Sequence, residues 1–164
     1  MSFKDIFKKS FLEGYASTEI TTLTVAAALG ERLGRPVLDA DQVIAEQAGM
    51  SIPEIFARQG EAGFRALETR VLAELGKRSG ILLATGGGCV TRAENYPLLH
   101  QNGTIFWLQR SLDALPTQGR PISQATPLDA LYAQREPLYR RFADRIIDNN
   151  GPLAETLKQM EEQA

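Results

Sequence analysis

Cysteine and histidine are nearly absent from this chain of 164 residues, in which Cys89 and His100 are the single representatives. One cysteine excludes an internal disulfide and any zinc site built from four cysteines. One histidine argues against a metal centre built on imidazole ligands. We therefore expect a cytoplasmic protein whose chemistry depends on other side chains.

Long apolar runs and an excess of basic charge are also missing. The best apolar run, residues 23–29, contains Thr24 and is far shorter than the roughly 18 residues of a membrane span. With 18 basic and 20 acidic residues, the formal net charge is -2, so no basic field favours nucleic acid. We expect one globular domain with no transmembrane span and no nucleic-acid partner.

The chain from Pro36 onward alternates short apolar runs with helical patterns. This alternation predicts an α/β fold with a central parallel sheet covered by helices on both faces. The predicted strands are residues 36–38, 81–84, 104–108 and 145–147. The predicted helices are one that starts at Ser51 with Glu54 in capping position, one over 61–77, and two pieces, 128–135 and 138–143, around Pro137.

The first residues predict a different element. In residues 1–15, apolar side chains recur at helical spacing and the lysines lie elsewhere on the helix. This helix either lies on a membrane surface or packs on the domain, and the sequence leaves both interpretations open. Residues 19–25, rich in threonine and β-branched side chains, are the only candidate for a strand before Pro36.

Two carboxylates follow the predicted strand at 36–38. In an open parallel sheet, ligands bind beyond the carboxyl ends of the strands. Asp39 and Asp41 are separated by one small residue, so both point to the same side of an extended chain. One can hold Mg²⁺ through water while the other accepts a hydroxyl proton. Alternatively, one of them caps the helix that starts near Gln42.

Three consecutive glycines, Gly86, Gly87 and Gly88, follow the strand at 81–84. A plain turn needs fewer, so the run favours a place where a ligand approaches the main chain closely.

Three arginines are candidates for anion binding. Arg65 and Arg135 can clamp a small carboxylate as two guanidinium forks, although neighbouring glutamates also allow surface salt bridges. Arg120 lies in the loop after the strand at 104–108. It can either cover a transferring phosphoryl group or face solvent.

Taken in order, these segments resemble the shikimate kinase family of small P-loop kinases. The resemblance runs from about Gly30 to Pro152. It rests on Leu38-Asp39-Ala40-Asp41, Gly49 to Phe56, Gly60 to Arg65, Thr85-Gly86-Gly87-Gly88, Gly119-Arg120-Pro121 and Arg135 to Arg140. It implies a three-layer sandwich with a central parallel sheet, and transfer of the ATP γ-phosphoryl with Mg²⁺ to the shikimate 3-hydroxyl in aromatic amino-acid biosynthesis. We expect a monomer.

The resemblance also implies residue roles. Asp41 would bind the attacking hydroxyl, Arg120 would be the lid arginine on the γ-phosphate, and Asp39 would assist Mg²⁺. Shikimate would be bound by Asp41, Arg65, Arg135 and a wall formed by Gly86, Gly87 and Gly88. Pro152, near the adenine, would contact the nucleotide together with Arg120.

The family's phosphate loop, GxxxxGK[ST], is missing. Its lysine register falls on Thr22, yet no lysine occurs from residue 10 to 76 and no glycine between Gly14 and Gly30. The lid, residues 108–120, is short and lacks the family's adenine-packing arginine. Residues 1–28 instead resemble the amino terminus of an uncharacterised bacterial integral membrane protein family. We therefore divide the chain into an atypical helical segment, 1–28, and a shikimate-kinase-like domain, 29–164.

Three functions compete on this basis. The first is a shikimate kinase that transfers the ATP γ-phosphoryl to the shikimate 3-hydroxyl with Mg²⁺, although we expect this transfer to be absent or very slow because the loop is missing. The second is a non-catalytic shikimate-binding module, and the third is a membrane-associated structural fragment whose amino-terminal helix is the working part. Gluconate is the runner-up substrate, less suited because the arginine pair fits a carboxylate on a compact ring.

Overall fold

Five parallel strands form the centre of the fold. The computed structural model describes residues 22–109 and 128–163 and the backbone of residues 5–9. The strands are β1 (Asp5–Lys9), β2 (Val37–Asp39), β3 (Leu82–Thr85), β4 (Thr104–Gln109) and β5 (Arg145–Asp148). They form one sheet in the order β2-β3-β1-β4-β5, and every neighbouring pair is parallel. The predicted α/β fold is confirmed, and strands β2 to β5 lie within a residue of their predicted positions.

Helices cover both faces of this sheet. They are α1 (Thr22–Leu33), α2 (Ala40–Ala48), α3 (Ile52–Leu75), α4 (Asn95–His100), α5 (Leu128–Phe142) and α6 (Leu153–Gln163), with a 3-10 helix at Gly87–Thr91. On one face, α1 and α6 pack against strand residues such as Leu82 and Phe106. On the other, α2 to α5 pack against the alternate residues, such as Leu83 and Ile105, which completes the three layers. Within the described residues, no helix combines the length and the apolar character that crossing a membrane requires.

The central strand β1 corrects the prediction for the amino terminus. It pairs with β3 on one side and β4 on the other, with Ile6 opposite Leu83 and Ile105. The predicted helix over residues 1–15 is therefore wrong at 5–9, and the predicted strand at 19–25 is wrong from Thr22, where α1 begins. Pairing with two neighbouring strands outweighs the local helical pattern, because propensity is weak beside tertiary structure.

Strand β1 tests the amino-terminal prediction at residues 5–9 only. Residues 1–4 and 10–21 lie outside the described residues. Helix α1 runs without interruption across residues 28 and 29. The division of the chain after residue 28 stays a prediction.

The helix boundaries follow from local signals. The hydroxyl of Ser51 accepts a hydrogen bond from the N–H of Glu54 at 3.3 Å, which confirms the predicted cap. Gly60, at φ 69° and ψ -175°, interrupts α3, so the second helix starts after it as predicted. Pro137 instead lies inside α5, where two pieces were predicted. The helix continues because Tyr139 and Phe142, beyond the proline, are anchored in the core.

Replacing Phe7 by proline tests the central position of β1. Proline removes a backbone N–H between two paired strands, so we expect Phe7→Pro to lower the free energy of unfolding by about 3 kcal/mol or more. Phe7→Ile is the matched control, because it keeps the N–H and a β-branched side chain suits a strand. Urea denaturation followed by circular dichroism measures both. Equal stability of the two variants would place residue 7 outside the sheet.

Candidate functional site

The two carboxylates lie at the carboxyl end of β2. Asp39 is the N-cap of α2, and its Oδ1 accepts a hydrogen bond from the N–H of Asp41 at 3.0 Å. The capping interpretation is therefore correct for Asp39. Asp41 follows in the first turn of the helix and is half-buried. The structure thus brings both groups to the sheet edge where ligands bind in parallel sheets.

The glycine run leads from β3 into the 3-10 helix. Gly86 is extended, with φ -67° and ψ 150°, and the 3-10 helix begins at Gly87. The positive-φ glycines of the described chain lie elsewhere, at Gly34, Gly49, Gly60 and Gly80. Gly88 is required for a different reason: a Cβ built on it would lie 2.6 Å from Nη1 of Arg65, and closer still to Nη2. The structure therefore brings Gly88 and Arg65 into contact.

Arg65 is held in a buried ion pair. Its Nη1 lies 2.8 Å from Oε1 of Glu68, and the two side chains are 5% and 1% exposed. Glu61, which is 53% exposed, lies 3.5 Å from the Nε of Arg65, and the guanidinium also lies 5.0 Å from the Phe64 ring centroid. The predicted glutamate contacts are present, but the group is buried rather than solvated. The pair fixes the direction in which Arg65 presents its guanidinium.

Glu68 is a site residue that the sequence did not single out. Its spacing of three residues from Arg65 on one helix predicts an ion pair, but nothing local distinguishes it from the exposed Glu61. Only tertiary packing buries one glutamate and exposes the other.

Arg135 lies on α5, which packs against the 3-10 helix Gly87–Thr91. The residue is 7% exposed, and its guanidinium makes no hydrogen bond or ion pair with any described residue. Burial of an unpaired charge is costly, so this position suits an anionic ligand. The neighbouring Arg140 differs, because it pairs with Glu136 and lies over the Trp107 ring.

Pro152 lies after β5, at the start of α6. It is exposed, and its carbonyl accepts hydrogen bonds from the N–H groups of Glu155 and Thr156 at 3.0 and 3.3 Å. The predicted lid arginine, Arg120, lies outside the described residues, as does most of the lid. Among the residues with described side chains, no three possible metal ligands cluster. Mg²⁺ often needs only one or two protein carboxylates besides water and phosphate, so Asp39 fits such a role.

Comparison with known proteins gives this site a family context. A family model for shikimate kinase matches residues 21–163. The shikimate kinase of Burkholderia pseudomallei (strain 1710b) is 40% identical over 146 residues, or 84% of this chain and 79% of that relative. A solved shikimate kinase from Acinetobacter baumannii in complex with shikimate has a TM-score of 0.78 at 34% identity, covering 98% of this chain and 92% of its own. The shikimate kinase from Aquifex aeolicus vf5 has a TM-score of 0.78 at 26% identity, covering 97% and 94%.

Truncating the two glutamates around Arg65 tests the buried ion pair. We expect Glu68→Ala to lower the free energy of unfolding by about 3–5 kcal/mol, because it removes the buried carboxylate that pairs with the Arg65 guanidinium. Glu61→Ala is the matched control and should cost at most about 1 kcal/mol, as exposed pairs do. Urea denaturation measures both. Equal losses would contradict the assigned difference in burial.

Proposed function

Because this chain belongs to the shikimate kinase family, we propose that its site binds shikimate and that its fold serves ATP-dependent phosphorylation of the shikimate 3-hydroxyl. The observation that carries the proposal is the burial of two arginines, Arg65 and Arg135, on the two helices α3 and α5 that both pack against the 3-10 helix Gly87–Thr91. Arg65 is fixed against Gly88, and Arg135 is buried with no partner among the described residues. Two guanidinium forks on helices that pack against one turn suit a carboxylate on a compact ring, which favours shikimate over gluconate.

The proposed roles divide the site into substrate and nucleotide sides. Arg65 and Arg135 bind the shikimate carboxylate, while Gly86, Gly87 and Gly88 form the wall behind the ring. Asp41 binds the attacking hydroxyl and accepts its proton. On the nucleotide side, Asp39 would assist Mg²⁺ through water, Arg120 would cover the γ-phosphate, and Pro152 would contact the adenine. Mg·ATP would supply the phosphoryl group.

The residues between β1 and α1 do not fit a triphosphate. This stretch, residues 10–21, contains Gly14 as its single glycine and no lysine. A phosphate loop needs glycines for its cradle of N–H groups and a lysine for the β- and γ-phosphates. We therefore propose that phosphoryl transfer by this chain is absent or very slow. A non-catalytic shikimate-binding protein is the second candidate, favoured by the same missing residues.

A membrane-associated fragment is the least supported alternative. It requires a surface helix over residues 1–15, and residues 5–9 are instead a sheet strand. We propose a cytoplasmic monomer that binds a small molecule and no nucleic acid. The lone buried Cys89 and the net charge of -2 support this proposal, and equilibrium sedimentation tests the monomer.

Removing each buried arginine tests shikimate binding. We expect Arg65→Ala and Arg135→Ala each to weaken binding at least about tenfold, the loss typical of a charge-assisted hydrogen bond. Arg32→Ala is the control, because Arg32 is exposed and pairs with Glu161 on α6. Isothermal titration calorimetry with shikimate measures all three. If both site variants bind like the parent, the carboxylate clamp is wrongly assigned.

Rebuilding the phosphate loop tests the proposed defect. Residues 10–23 are replaced by an eight-residue GxxxxGKT loop, with β1 and the rest of α1 retained. We expect the parent to turn over far below the 1–100 s⁻¹ common to kinases, and the rebuilt chain to approach that range at saturating ATP. The matched control carries Met in place of the loop lysine. A rebuilt chain that folds and binds shikimate but stays inactive at saturating ATP would contradict the proposal.

A further inference from the structure

Two polar side chains hold the main chain of the 3-10 helix Gly87–Thr91. The hydroxyl of Thr91 donates a hydrogen bond to the carbonyl of Gly88 at 2.6 Å. The side-chain amide of Asn95 donates to the carbonyl of Cys89 at 2.8 Å. The helix's own bond from the N–H of Cys89 to the carbonyl of Gly86 is long, at 3.4 Å. Since 3-10 hydrogen bonds have poor geometry, the two side-chain bonds are the better-defined restraints on this turn.

Asn95 occupies a fully buried position, where an amide side chain lowers the free energy of unfolding unless it is hydrogen-bonded. It is the first residue of α4 and is 0% exposed. Its Nδ2 donates to the carbonyl of Cys89, while its Oδ1 has no hydrogen-bond partner among the described residues. Burying an amide with one half unsatisfied lowers stability. Such a group in a native core calls for an explanation other than packing, and its bond to Cys89 supplies one.

The Arg65 guanidinium packs against this turn at Gly88. No atom fits between Gly88 and the guanidinium, because even a Cβ on Gly88 would overlap it. A rotation of the peptide that follows Gly88 therefore displaces either the turn or the guanidinium. The Thr91 hydroxyl restrains the carbonyl of this peptide, and the Asn95 amide restrains the carbonyl of the next peptide.

We propose that Thr91 and Asn95 are positioning residues for Arg65. By holding the carbonyls of Gly88 and Cys89, they fix where the guanidinium lies and so set the affinity of the site for the shikimate carboxylate. The effect on shikimate affinity rests on the proposed function, whereas the position of the guanidinium is a property of the protein without ligand.

Calorimetry with shikimate measures the effect on affinity. We expect Thr91→Val and Asn95→Ala each to raise the Kd about threefold to tenfold, as the loss of one hydrogen bond does. Leu99→Ala is the matched control, because Leu99 is also on α4 and 0% exposed but belongs to the apolar core. It should lower thermal stability and leave the Kd unchanged. A purely structural role for Asn95 would make Asn95→Ala behave like this control.

Nuclear magnetic resonance of the ligand-free protein separates the two parts of the proposal. We expect the Arg65 Nε–H signal to shift or broaden in Thr91→Val and Asn95→Ala and to stay in place in Leu99→Ala. If the signal moves but the parent binds no shikimate, the positioning role holds and the proposed function fails. An unchanged signal and an unchanged Kd would overturn the positioning role. If Asn95→Ala does not fold, Thr91→Val decides alone, since Thr91 is exposed.

Discussion

The contact between the Arg65 guanidinium and the main chain at Gly88 constrains the rest of the site. A buried positive charge needs a partner, and Glu68 supplies it from the next turn of α3. A guanidinium this close to the backbone also needs a neighbour without a side chain, and glycine is the one residue that qualifies. Helix α3 and the turn after β3 are thereby fixed relative to each other. Position 88 is glycine because of its neighbour rather than because of its own dihedral angles.

The sequence predicted the framework well where burial is continuous. Strands β3 and β4 are apolar runs buried on both faces, so their pattern alone locates them. The short runs of β2 and β5 are less buried and were located by the same apolar pattern. The cap at Ser51 and the break at Gly60 are also local signals. Arg65, Gly88 and Arg135 were singled out from the sequence. The structure brings Arg65 and Gly88 into contact, and the helix that carries Arg135 packs against the same 3-10 helix. The burial of Glu68 does not follow from spacing, because Glu61, four residues before Arg65, can pair with it as Glu68, three residues after it, does. The two glutamates differ in what packs over them.

The prediction failed at β1 for a related reason. Residues 5–9 contain an apolar pair between charged residues, which reads equally well as part of an amphipathic helix. Only pairing with β3 on one side and β4 on the other favours the extended conformation of these residues. A sheet pairs through backbone groups that every residue but proline carries, so the central position tolerates many sequences. Phosphate binding tolerates few, because it needs glycines and a lysine at fixed places. A chain can thus retain this architecture while the residues next to its central strand depart from the family.

Trp107 makes this protein a reporter of its own site. It is the single tryptophan, is fully buried on β4, and stacks on Tyr139 of α5 with ring centroids 5.4 Å apart. Its Nε1 has no hydrogen-bond partner among the described residues, so its ultraviolet emission should be that of a buried indole with the Arg140 guanidinium over its ring. Helix α5 also carries Arg135. If α5 moves when Arg135 binds an anion, the stacking of Tyr139 on the indole changes. The emission maximum of Trp107 then reports ligand binding without an added label.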